Sequence, residues 1–183
     1  MSSASRHIRI SRVALLGVTA AAALAVSFFE HTLTAALPLP PGVKPGLSNI
    51  IVMFVCYTLG LPSAMLICAV KSGFICLVSG VSGGFISLCG GLLSTAAMRL
   101  CKGLSEKKLS YAGISVISAV MHNAGQLVAS SALVGSALYL SYAPVLLISG
   151  ILFGSVTGII LNTVMPALRN SSIISNSHKD SEE

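Results

Sequence analysis

The sequence predicts an all-α, polytopic membrane protein: six transmembrane helices in one compact bundle. Three observations predict it. Apolar residues make up 54% of the 183-residue chain. Charged residues make up only 9%, against about 25% in an ordinary soluble domain. The mean hydropathy of +0.90 exceeds what a water-facing surface permits in so small a domain. A soluble globular enzyme, a disordered chain and a secreted disulfide scaffold are all excluded on these grounds.

The elements follow in order along the chain. Residues 1–12 are polar, carry Arg6, Arg9 and Arg12, and read as a cytoplasmic basic N-terminus. The run from Val13 to Phe29 is apolar and long enough to span. A basic start before an apolar run also fits a signal peptide. Here more apolar runs follow instead of a cleavage site and a soluble chain, so the run is expected to be the first membrane helix. Residues 30–46 contain Pro38, Pro40, Pro41 and Pro45, which forbid a regular helix, and Gly42 and Gly46 supply turns. A second run extends from Leu47 to Leu61, punctuated by Gly60 and Pro62. A third goes from about Ser63 to Val78 with Lys71 inside it, and the GVSGG segment at residues 80–84 ends the pattern. Phe85 to about Leu100 forms the fourth, and a basic loop occupies residues 99–108. The fifth covers about Ser110 to Leu138, and Pro144 opens a sixth that ends near Leu168. The membrane domain is thus residues 13–168, and the Ser/Asn-rich tail, residues 169–183, is expected to be a disordered cytoplasmic segment.

Topology turns on residues 47–70. Read as one helix kinked at Gly60 and Pro62, they leave five spans and place Arg99, Lys102, Lys107 and Lys108 outside. Read as two helices, they give six spans, and those four cations join Arg6, Arg9, Arg12, Arg169 and Lys179 inside, with Lys44 alone outside. The excess of positive charge in cytoplasmic loops favours six spans with both termini cytoplasmic, in the cell membrane. The second span is short, since its 15 residues reach only about 22 Å as a helix.

The net charge of +6 therefore reads as a topology signal and a contact with anionic lipid. No clustered basic surface for nucleic acid is present. Cys56, Cys68, Cys76, Cys89 and Cys101 form no CxxC pair and read as small core residues rather than metal or redox ligands. No G-x-x-x-x-G-K-[ST] motif occurs, so no nucleotide cofactor is expected and ATP-driven work would need other chains.

Small residues recur at intervals of four in Gly17, Ala21 and Ala25, in Gly150, Gly154 and Gly158, and in Gly80 and Gly84. In lipid such spacing lets helix backbones approach closely. It serves internal packing or the docking of another membrane subunit, and the first helix is the better docking candidate.

Polar groups within spans are costly and concentrate at functional places. Ser115, Ser118, His122, Gln126 and Ser130 form one stripe along the fifth helix, with Asn123 at its edge. Glu30 and His31 are expected to cap the first helix, Lys44 lies in the proline loop, Ser48 and Asn49 start the second helix, and Lys71 lies within the third. No aspartate pair is available to hold Mg²⁺ for prenyl or phosphoryl transfer, and no acid lies near His122 in sequence to orient it as a base, so no catalytic residue is assigned. Glu30, Lys44, Asn49, Lys71, His122, Asn123 and Gln126 are the candidate substrate-binding residues. Lys71 also has the readings of snorkelling to a headgroup or pairing with Glu30. The set is cationic and amide-rich, with Glu30 as the one nearby acid, so it suits an uncharged or anionic small molecule.

Three segments resemble a known family. LPPGVKPGLSNI, AVMHNAGQLVAS and FISLCGGLLSTAAM are similar to signature segments of heptaprenyl diphosphate synthase component I, also called the Gx transporter family, over about residues 12–168. Lys71 stands where that family usually has Arg, and Pro45 where it usually has Leu. The family is similar in size and layout to the substrate-binding S components of energy-coupling factor (ECF) transporters. The resemblance implies a non-enzymatic subunit that captures a small, vitamin-like or precursor molecule. It also implies partners, a coupling transmembrane subunit and two ATPases, with Gly17, Ala21 and Ala25 on the docking face and the loop after the first helix as a lid. The alternative implied by the family name is an accessory, non-catalytic membrane component of heptaprenyl diphosphate synthesis, which supplies isoprenoid quinone side chains.

Overall fold

The computed structural model describes residues 3–36, 46–104, 110–135 and 141–169. These residues form five α-helices: α1 (Ser3–Ala36), α2 (Ser48–Thr58), α3 (Leu61–Leu104), α4 (Tyr111–Val134) and α5 (Ala143–Arg169). No strand occurs among the described residues. The stretches Ile10–Thr34, Leu61–Cys101, Tyr111–Val134 and Ala143–Val164 are each long and apolar enough to cross a membrane. The four prolines of the expected loop, the part of the expected basic loop from residue 105 on and the tail beyond Arg169 lie outside the described residues.

Two glycines set the chain path. Gly60, at φ +88°, follows α2, and Leu59 and Gly60 both donate to the Val55 carbonyl, at 2.8 and 3.1 Å. Such a left-handed turn closes a helix and suits glycine. The helix α3 then opens with Pro62 in its first turn, where a missing N–H costs nothing. Lys71 Nζ lies 3.2 Å from Ser48 Oγ. A straight helix would hold those residues about 34 Å apart, so α2 and α3 double back on each other. Residues 47–70 are therefore two helices, not one kinked helix.

The second reversal is at Gly80, whose φ of 81° and ψ of 172° are non-helical. It divides α3 into arms of residues 61–79 and 81–104. Ser72 Oγ donates to Ser87 Oγ at 3.4 Å, and Cys68 Sγ lies 3.3 Å from Thr95 Oγ1. Along one straight helix the second pair would stand about 40 Å apart. The arms are thus an antiparallel hairpin, and the turn lies at Gly80 alone. The expected break over residues 80–84 is narrower because Gly83 and Gly84 are already helical and packed: a Cβ on Gly84 would come 2.6 Å from Cys76 Cβ.

The remaining helices close the bundle with the same antiparallel logic. Gly150, Gly154 and Gly158 face Val120, Val116 and Ala112, and a Cβ on the last two would come 2.7 and 2.5 Å from the opposing Cα atoms. Between the second arm of α3 and α4, a Cβ on Gly125 would come 3.0 Å from the Cys89 carbonyl oxygen, and one on Gly90 2.7 Å from Gln126 Cγ. Glycine at these seams is required by backbone proximity, the main source of helix association where lipid removes the hydrophobic drive. Hydroxyl pairs rivet the seams: Ser115 with Thr157 at 2.6 Å and Ser94 with Ser118 at 3.0 Å.

The helix α2 is the core. Val52 and Val55 are fully buried and pack with Ala23, Ala64, Ile67 and Met98. Eleven residues rise only about 16 Å, less than a bilayer core. Walled in by its neighbours, α2 does not have to satisfy the lipid along its whole length. At its far end Tyr57 meets Tyr111 of α4 edge-to-face, with centroids 5.3 Å apart.

Helix ends differ modestly from expectation. The helix α4 stops at Val134 rather than Leu138, because Gly135 takes the left-handed cap (φ 66°) and donates to Ser131 O. It starts after Ser110, whose side chain accepts from Gly113 N. The helix α1 runs past Glu30 and His31 to Ala36, so these two sit inside a helix rather than capping one.

Candidate functional site

The hairpins bring polar residues far apart in sequence to one place. Glu30 of α1, Ser48 at the start of α2 and Lys71 in the first arm of α3 are 6%, 2% and 4% exposed. Ser48 Oγ donates to Glu30 Oε2 at 2.6 Å and accepts from Lys71 Nζ at 3.2 Å. The hydroxyl thus relays between a buried carboxylate and a buried ammonium. Burying such charges is costly unless they are paired and hydrogen-bonded, and this relay meets that need only in part: Glu30 Oε1 has no hydrogen-bond partner among the described residues.

A cleft opens beside the relay. Its walls are Ser27, Glu30 and His31 of α1, Gly46 and Ser48 at the head of α2, Lys71 and Ile75 of one α3 arm, Ser87 of the other, and His122 and Gln126 of α4. The space within it is about 370 Å³ with the open mouth included, and only about 20 Å³ of that admits the centre of a water-sized sphere, room for about one or two waters. Among the described residues, Ile75 is the sole large apolar side chain in that wall. Gln126 is buried, and its Oε1 also lacks a partner. Both His122 and Gln126 lean over Gly90, where any side chain would displace them.

Of the sequence candidates, Glu30, Lys71, His122 and Gln126 are brought together at the cleft. Asn49 is buried at the head of α2, next to Ser48, with Nδ2 unpartnered. Asn123 points elsewhere: its Nδ2 donates to the Leu146 carbonyl at 2.8 Å and approaches Ser149 Oγ at 3.4 Å, which ties α4 to α5. Lys44 and the expected lid, residues 37–45, lie outside the described residues. The polar stripe on α4 divides in two, with Ser115 and Ser118 spent on neighbouring helices and His122 and Gln126 facing the cleft. Sequence reasoning missed Ser27, Ser48 and Ser87 as wall residues. Ser27 lies one helical turn before Glu30 and was findable on that spacing. Ser87 depends on the hairpin register and had no local signal.

The face of α1 bearing Gly17, Ala21 and Ala25 is exposed, and a Cβ on Gly17 would meet nothing within 4 Å.

Apolar helices of spanning length, packed around a short buried helix and a charged cleft, define a multi-pass membrane protein. Residues 19–164 match the family described as heptaprenyl diphosphate synthase component I. The chain belongs to that family. Neither a curated protein nor a solved structure matches it.

Proposed function

We propose that this chain is the substrate-capturing membrane subunit of an ECF-type uptake transporter, and is not itself an enzyme. The observation that carries the reading is the polar cleft inside an otherwise apolar bundle, since unspent polar groups at membrane depth are tolerated chiefly where they work. The reading has six crossings: α1, α2, the two arms of α3, α4 and α5. Each consecutive pair is antiparallel, so the start of α1 and the end of α5 lie at one end of the bundle and the cleft lies in the opposite half. With the basic termini cytoplasmic, the cleft faces outward, where a captured molecule would enter. The bare small-residue face of α1 supports close approach by a coupling subunit.

The family description favours a second reading, an accessory component of heptaprenyl diphosphate synthesis. The cleft is a poor match to that product: its wall is polar, its volume is small for a heptaprenyl chain, and Glu30 opposes a diphosphate.

Affinity purification of the tagged chain from its own cells separates the two. Capture predicts that a coupling membrane protein and ATPases copurify. Replacing both Ala21 and Ala25 with Leu should remove them while the protein still inserts. Copurification of a prenyl synthase catalytic subunit in their place would establish the second reading.

A further inference from the structure

We propose that the molecule held in the cleft carries no net charge and is recognised through its own hydrogen-bond donors. This deepens the capture reading and rests on it. It also narrows the expectation of an uncharged or anionic substrate by removing the anion.

The first argument is charge balance. Among the described residues of the cleft wall, Glu30 and Lys71 are the two formal charges, they are of opposite sign, and Ser48 links them. An entering anion would meet the Lys71 ammonium together with the Glu30 carboxylate, and an entering cation would meet the same pair. Neither gains the uncompensated partner that makes burial of a charged ligand favourable. The second argument is valence. Among the described residues, Glu30 and Gln126 each keep one buried oxygen without a partner, and both atoms are pure acceptors. A ligand that offers only acceptors leaves them stranded, whereas one that offers N–H or O–H groups satisfies them. Sites whose buried polar groups depend on a ligand's donors discriminate strongly against analogues that lack them. Small neutral amides and polyols are the chemistry that fits.

The test uses the wild-type protein in detergent with two matched sets of probes: succinamide, succinate and putrescine, and benzamide, benzoate and benzylamine. Thermal unfolding and equilibrium dialysis report binding. The neutral amide of each set should bind at least about tenfold more tightly than its carboxylate or amine, the scale of losing one well-placed hydrogen bond. Glu30→Gln frees the Lys71 charge and should move the preference toward the carboxylates. Lys71→Met should move it toward the amines. Size-exclusion profiles check that both variants remain folded, and the wild-type ranking stands without them. A wild-type preference for the carboxylates or the amines would overturn the proposal and leave the capture reading intact. Failure of both neutral amides to bind would overturn it equally, while copurification of the coupling subunits decides the capture reading separately.

Discussion

Ser48 shows how a small side chain decides the state of two large ones. Its hydroxyl accepts from Lys71 and donates to Glu30, and it is itself 2% exposed. Ser48→Ala should therefore destabilise the protein by about 1–3 kcal/mol, the usual cost of leaving buried polar groups unmet. The loss is measurable as a lower unfolding midpoint in detergent. A sharper check is a double-mutant cycle. Lys71→Met alone strands a buried carboxylate and should cost roughly 3–5 kcal/mol, while Lys71→Met combined with Glu30→Gln should recover most of it. Additive losses would mean that the two side chains do not share a network. The charges were legible in the sequence because a single Glu or Lys stands out in an apolar run. The relay was not, because a serine at the head of a helix reads equally as a cap, and its partners are fixed only when the chain reverses at Gly60. The same limit explains Asn123. Adjacent to His122 in sequence, it lies about 100° further round the helix and is spent on α5.

At the scale of elements, glycine has two unrelated uses in this chain. Gly60 and Gly80 turn it, with φ of +88° and +81°. Gly84, Gly90, Gly125, Gly154 and Gly158 are helical and admit a neighbouring backbone or side chain. The sequence does not separate the uses, which is why the break at residues 80–84 looked wider than it is. The helices themselves were legible because lipid demands long apolar runs whatever their packing. Substitution separates the uses again. Gly158→Ala puts a methyl 2.5 Å from the Ala112 Cα and must spread α4 from α5, at a cost of about 1–3 kcal/mol by the usual scale of overpacking. Gly17→Ala meets nothing within 4 Å, and alanine is the better helix former by about 1 kcal/mol. It should leave the unfolding midpoint unchanged or raise it. Equal destabilisation by both would show that α1 presses on the bundle through this face, contrary to its exposure.

At the scale of the whole molecule, the two reversals at Gly60 and Gly80 fix which ends of the helices lie together. The start of α1, the end of α2, the end of the second α3 arm, the start of α4 and the end of α5 share one end of the bundle, as the Tyr57–Tyr111 contact attests for α2 and α4. Arg12 lies in the half of α1 toward that end, and Arg99 lies five residues before the end of α3 there. On the proposed capture reading, the basic residues turn that end toward the cytoplasm. A single-cysteine variant at residue 105, in a background with the native cysteines replaced, should therefore resist a membrane-impermeant maleimide added to intact cells. It should react once the membrane is opened. A cysteine placed at residue 44 should show the opposite pattern, because it joins α1 to α2 at the end that carries the cleft. Labelling of residue 105 from outside would invert the bundle, turn the cleft toward the cytoplasm and make capture from the exterior untenable, while the fold and the Glu30–Ser48–Lys71 relay would stand unchanged.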